Sequence, residues 1–140
     1  MVKQQVGYYS FSKEKYNTPI EASEYNFIRR IFKGFVINPN KDLNTDNPYE
    51  MNININLIYK VNFMVVSATK GYIGRCSFWE VKQALLMGIP VFEIYSIRGI
   101  FKYRAVIALK KVSNVNYIKY ARLVSKPIPQ KIKSITKQQN

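Results

Sequence analysis

Apolar positions along the chain change their period several times, and each change marks an element. Residues 5–9 form a short apolar-rich run that ends in the polar stretch Ser10 to Asn17, as a first strand followed by a loop does. Thr18, Pro19 and Glu21 supply an N-cap, a proline for the first helical turn and the acid of a capping box. Ala22, Tyr25, Ile28, Ile31 and Phe32 then repeat at helical spacing. Gly34 stops that helix, and Phe35, Val36 and Ile37 predict a second short strand closed by Asn38, Pro39 and Asn40.

A polar loop runs from Lys41 to Pro48. After it, Met51, Ile53, Ile55 and Leu57 alternate like a strand, while Met51, Ile55, Ile58 and Asn62 share a helical face. The crossover that two parallel strands require selects the helix. Phe63 to Ala68 is a near-continuous apolar run, as in a parallel strand buried on both faces. A loop from Thr69 to Arg75 precedes a helix that Ser77 opens, with Phe78, Val81, Ala84 and Leu85 on its apolar side. Gly88 and Pro90 end it, and Val91 to Ile97 forms the next strand.

This alternation predicts one α/β domain over residues 1–125, built on a doubly wound, mainly parallel sheet of Rossmann-like or flavodoxin-like kind. Beyond Gly99 the pattern changes to two strand-like runs, Lys102 to Val112 and Tyr117 to Val124, joined by Ser113 to Asn116. They predict a C-terminal β-hairpin over 102–124 added to the main sheet. Residues 126–140, with two prolines and little to pack, predict a flexible basic tail.

Composition narrows the chemistry. Cys76 is the sole cysteine and there is no histidine, which removes disulfide frameworks, the usual zinc sites and any imidazole base. No metal or cofactor is implied. The polar N-terminus and the lack of a long apolar run predict a soluble, cytoplasmic protein without a membrane partner. The net charge of +14 is unevenly spread, because no Asp or Glu follows Glu93. Such a field concentrates anionic partners or simply aids solubility. On the hairpin, Lys102, Arg104, Lys110, Lys111, Lys119 and Arg122 could hold a polyanion, with Tyr103, Tyr117 and Tyr120 able to stack on bases.

Ligands of open parallel sheets sit beyond the carboxyl ends of the strands. The loops expected there carry Ser10 and Ser12, Asn38 and Asn40, then Gly71, Tyr72, Gly74 and Arg75 ahead of a helix. A glycine loop feeding a helix suits an anion, or is simply a turn that needs glycine. Glu80, the only acid between Glu50 and Glu93, has two readings: the acid of a Ser77–Glu80 capping box, which the residues alone favour, or a functional carboxylate. Cys76 reads as a small buried residue, and Arg75 as an anion ligand or a solvated loop residue.

The segment GYIGRCSFWEVKQALLMGIPVFEI, residues 71–94, resembles the nucleoside 2-deoxyribosyltransferase-like family, where a glycine-containing loop leads to a Glu-bearing helix, an alanine-rich stretch and Gly-x-Pro-Val. The resemblance extends to Gly7 to Ser10 and to Val36 to Asn40, covers residues 5–97 and leaves the basic C-terminal third without a counterpart. It implies a nucleoside or nucleotide ligand and a nucleophilic carboxylate at Glu80 that attacks the sugar anomeric carbon. Tyr8, Tyr9, Ser10, Asn38, Asn40, Gly71, Tyr72, Gly74 and Arg75 would then position sugar, base or phosphate. Two acids usual in the family are replaced here by Asn62 and by Thr69 with Lys70. Three expectations stand side by side: an N-glycosyl enzyme, a non-catalytic nucleotide binder, and a nucleic-acid-binding module, any of which could form a homo-oligomer.

Overall fold

A computed structural model describes residues 5–43, 57–112, 115 and 119–128. The elements are β1 (Val6–Ser10), α1 (Pro19–Ile31), β2 (Phe35–Ile37), a one-turn α2 (Pro39–Asp42), β3 (Phe63–Ser67), β4 (Tyr72–Ile73), α3 (Arg75–Leu86), β5 (Val91–Ile97), β6 (Ile100–Lys111) and β7 (Ala121–Lys126). The strands form one mixed sheet in the order β2-β1-β3-β5-β6-β7-β4. β2, β1, β3 and β5 run parallel; β6 is antiparallel to β5, β7 to β6 and β4 to β7. Leu57 and Ile58 are helical, ahead of β3. The rest of the crossover helix expected there lies outside the described residues, as do most of the expected tail and most of the hairpin's connection.

The central strands are buried because a helix lies on each side. On one face Tyr8, Met64, Val66 and Val91 pack with Val81 and Ala84 of α3, joined by Val106, Ala121 and Leu123 from the later strands. On the other, Tyr9, Val65 and Ile94 pack with Phe27 and Ile28 of α1. All five residues of β3 are buried, as its apolar run predicts. A bulky side chain at one of these positions stabilises the fold by roughly 1.5–3 kcal/mol. The outer edge of the Phe63 ring occupies the space over Gly7 in β1, where a methyl group would stand 2.2 Å from Phe63 Cζ. Only glycine allows that approach.

Four expectations are corrected. The inward face of α1 is rotated, so that Glu21 and Glu24 are buried with Phe27 and Ile28 while Ala22 is exposed. The loop 69–75 contains β4, folded back by reciprocal hydrogen bonds between Thr69 and Tyr72. α3 begins at Arg75, two residues before Ser77, and its N-cap is Gly74 with no side-chain bond. Finally, the 102–124 hairpin is only part of the extension: β6 starts at Ile100 and first pairs with β5 across a two-residue turn. Arg98 and Gly99 both have positive φ (52° and 79°), the geometry whose twist suits a tight hairpin. A register shift between Val106 and Ala108 then bends β6, and its second half pairs with β7.

Candidate functional site

β2 and β3 flank β1 on opposite sides, so the chain leaves the carboxyl ends of β1 and β3 in diverging directions. A crevice opens between those ends. Ser10 closes β1 there and Ser67 closes β3.

Glu80 reaches this edge from α3. Because α3 starts at Arg75 with Gly74 as its N-cap, Ser77 is buried inside the first turn and Glu80 stands one turn further in. Its carboxylate accepts hydrogen bonds from the Tyr8 hydroxyl and, at 2.7 Å, from Ser10 Oγ. Ser10 Oγ is also 3.1 Å from Ser77 Oγ. The capping-box reading of Glu80 is replaced, because the N-cap is Gly74 and not Ser77, and Glu80 takes the hydroxyls of two β1 residues. Tyr8 and Ser10 have no exposed surface and Glu80 has 4%.

A second carboxylate answers it across the sheet. Successive residues of a strand point to opposite faces, so Tyr9 meets α1, where its hydroxyl donates to Glu24 Oε1 at 2.6 Å. Ser67 Oγ donates to Glu24 Oε2 at 2.9 Å, and Lys15 Nζ donates to Ser67 Oγ at 2.6 Å. Burial raises the Tyr9 phenol far above its ordinary pKa, and the adjacent Glu24 charge and hydrogen bond add to the rise. Burial lowers the Lys15 ammonium, while Glu24 and Glu14 pull it back upward. The result is a hydrogen-bonded chain of Tyr9, Glu24, Ser67 and Lys15 that runs from the core to a partly exposed lysine at the same crevice.

Lys15 and Ser67, with Ser12, Thr69, Gly74 and Ser77, line a recess of about 30 Å³, room for a group the size of a water molecule. Beside it lies an open groove of about 450 Å³, lined by Lys15, Glu24, Thr69, Lys70, Arg104 and Arg122 among others. That volume lies within the range of small-ligand sites.

Asn38 and Asn40 stand elsewhere. Asn38 caps α2 through Asn40 N–H at 2.9 Å and donates Nδ2 to Glu21 Oε2 at 3.0 Å. Asn40 Nδ2 donates to Glu21 Oε1 at 2.8 Å, which also accepts the Asn17 N–H at 2.6 Å. Together these bonds tie the end of β2 to the start of α1. Burial would raise the Glu21 pKa, but the bonds from Asn17, Asn38 and Asn40, with the Lys41 charge, hold it below the ordinary value.

Gly71 and Tyr72 sit on the turn into β4, and Arg75 is exposed at the start of α3. Cys76 is exposed, contrary to the buried reading. The fold thus gathers Tyr8, Ser10 and Glu80 at one point, puts Tyr9 on the opposite face of β1 and leaves Asn38 and Asn40 at the end of β2.

Of the basic residues, Arg104 bonds Glu93 Oε1 at 2.9 Å, which also accepts from Ser125 Oγ at 2.8 Å, and its guanidinium lies 4.4 Å over the Tyr95 ring. Lys119 and Arg122 lie 5.2 Å and 6.0 Å from the Tyr72 ring. Lys110 pairs directly with Arg122 across β6 and β7. Lys102 and Lys111 are exposed. Tyr103 packs among Phe27, Phe32 and Phe92, and Tyr120 stands edge-on to Phe78, so these rings are engaged in packing; Tyr117 is outside the described residues.

Sequence reasoning missed Lys15, Glu24, Ser67 and Glu93. The available signal was spacing: Glu21, Glu24 and Ile28 lie three and four residues apart on one helix face, and Ser67 ends an apolar strand at the crevice. Among the described residues no cluster of three or more His, Cys, Asp or Glu could hold a metal, and no helix is long and apolar enough to cross a membrane. Comparison of the chain with protein-family models, with curated proteins and with solved structures finds no match.

Proposed function

We propose that this chain binds a nucleoside or nucleotide at the carboxyl edge of its parallel strands and acts on the N-glycosidic bond through Glu80. On this reading the fold is Rossmann-like, supported by the parallel order β2-β1-β3-β5 with α1 and α3 on opposite faces. The observation that carries the proposal is the setting of Glu80. An acid that serves only its own helix start does not turn to the neighbouring strand to take the hydroxyls of Tyr8 and Ser10.

In the reaction one Glu80 oxygen bonds the anomeric carbon as the carbon–nitrogen bond breaks, and the electron pair leaves with the base, which takes a proton from solvent. Water or a second base then displaces the ester and restores the carboxylate. Tyr8 and Ser10 orient Glu80 and must yield one hydrogen bond during attack. The test is chromatographic detection of free base from a panel of nucleosides and nucleotides. Release by the unmutated protein and none by Glu80→Gln is expected; equal release by both removes Glu80 from the chemistry.

A second reading, binding without turnover, is favoured by the engagement of Glu80 by two hydroxyls and by its absence from the lining of the water-sized recess at Ser77. It predicts a ligand-dependent rise in Tm with no base released. At a ligand concentration one hundred times Kd the gain is about 2.7 kcal/mol.

A further inference from the structure

The cations of the C-terminal strands form a track that Glu80 chemistry does not use. A groove of about 320 Å³ lies on the extension, lined by Lys110, Arg122 and Arg104. It shares Arg104, Arg122 and Leu123 with the groove of about 450 Å³ that continues past Lys70 to Lys15 at the crevice. The two carboxylates along the way are already held, Glu93 by Arg104 and Ser125 and Glu24 by Tyr9 and Ser67.

Lys110 faces Arg122 directly across the strand pair, and no acid follows Glu93 in the sequence. Like charges opposite each other on a sheet repel. An anion between them turns that repulsion into two attractions. Tyr95 lines the larger groove beneath the Arg104 guanidinium, and Tyr72, flanked by Lys119 and Arg122, lines the small recess that shares Lys15 and Thr69 with that groove. Cations interleaved with aromatic rings along a concave path suit a strand whose phosphates and bases alternate.

We infer that the joined grooves bind the backbone of single-stranded nucleic acid, with Lys70, Lys110 and Arg122 as its phosphate contacts. The inference stands apart from the glycosyl reading and survives its failure.

The experiment is fluorescence anisotropy of a labelled oligothymidylate of about 15 nucleotides, a length that fills one such site, titrated with the full chain over a range of KCl. Three phosphate contacts predict a slope of log K against log salt of about −2, from roughly −0.7 per contact. The double variant K110Q/R122Q makes that slope shallower by about 1.4. The double variant K33Q/K60Q removes the same charge from exposed positions ahead of β2 and β3, outside both grooves, and leaves the slope unchanged. Circular dichroism confirms that both variants fold. Absence of binding at low salt, equal losses in the two double variants, or tighter binding of a duplex of the same length at every salt concentration overturns the inference. So does competition by thymidine monophosphate at the same phosphate concentration, which would reduce the track to a mononucleotide site.

Discussion

Tyr8 and Tyr9 are neighbours in sequence with opposite roles, because the strand sends one hydroxyl to Glu80 and the other to Glu24. Removing either hydroxyl leaves a buried carboxylate short of a donor, which costs roughly 1–3 kcal/mol. Tyr8→Phe and Tyr9→Phe are therefore both expected to lower the midpoint of urea unfolding by comparable amounts. Only Tyr8→Phe should also alter base release, since only Tyr8 touches Glu80; matching activity in the two variants would sever Tyr8 from the chemistry.

Glu21 gives a pH test at the same scale. Its folded pKa lies below the ordinary carboxylate value of 4.5, so its contribution is complete above that value and fades as pH falls through the lower, folded pKa. Glu21→Ala is expected to cost about 2–3 kcal/mol at pH 7, where the buried Asn38 amide loses its acceptor. The difference from the unmutated protein should shrink below pH 4 in denaturation curves measured across pH. A pH-independent difference would mean that the charge of Glu21 contributes nothing beyond its shape.

At the scale of elements, the positions of β1, α1, β2, β3, α3 and β5 were legible because each carries a periodic apolar run between glycine, proline or asparagine stops. The details that failed have physical causes. Glu21 and Glu24 turn inward because the asparagines, Tyr9 and Ser67 satisfy them there, which hydropathy alone does not register. Ser77 imitates an N-cap, yet the chain leaves β4 at Ile73 and the helix starts at once, at Arg75 with Gly74 as its N-cap. The turn at Arg98 and Gly99 was hidden because arginine is an unusual residue for a position with positive φ. Asparagine tolerates that conformation better. Arg98→Asn should accordingly raise stability by about 0.5 kcal/mol, and Gly99→Val should lower it by about 1 kcal/mol or more, both read from chemical denaturation. The opposite order would mean that the Arg98 side chain contributes a contact of its own.

At the scale of the whole molecule, charge and architecture divide the chain in the same place. The parallel strands hold the buried Tyr–Glu pairs, and the antiparallel extension carries an acid-free sequence of high positive charge. The charge imbalance was legible by counting; that Arg104 is neutralised by Glu93 while Lys110 faces Arg122 depends on strand register, which composition does not contain. That register carries a stability consequence without any ligand. Repulsion across β6 and β7 is strongest when few counterions screen it, so Tm should rise as KCl is increased from low concentration. Lys110→Glu converts the opposed pair into an attractive one, with an expected gain of about 0.5–1 kcal/mol at low salt that declines as salt increases. The same variant should lose affinity for oligothymidylate, so that stability and binding move in opposite directions. A gain in stability with binding intact would show that Lys110 and Arg122 merely repel each other, and a fall in stability would show that Lys110 packs rather than repels.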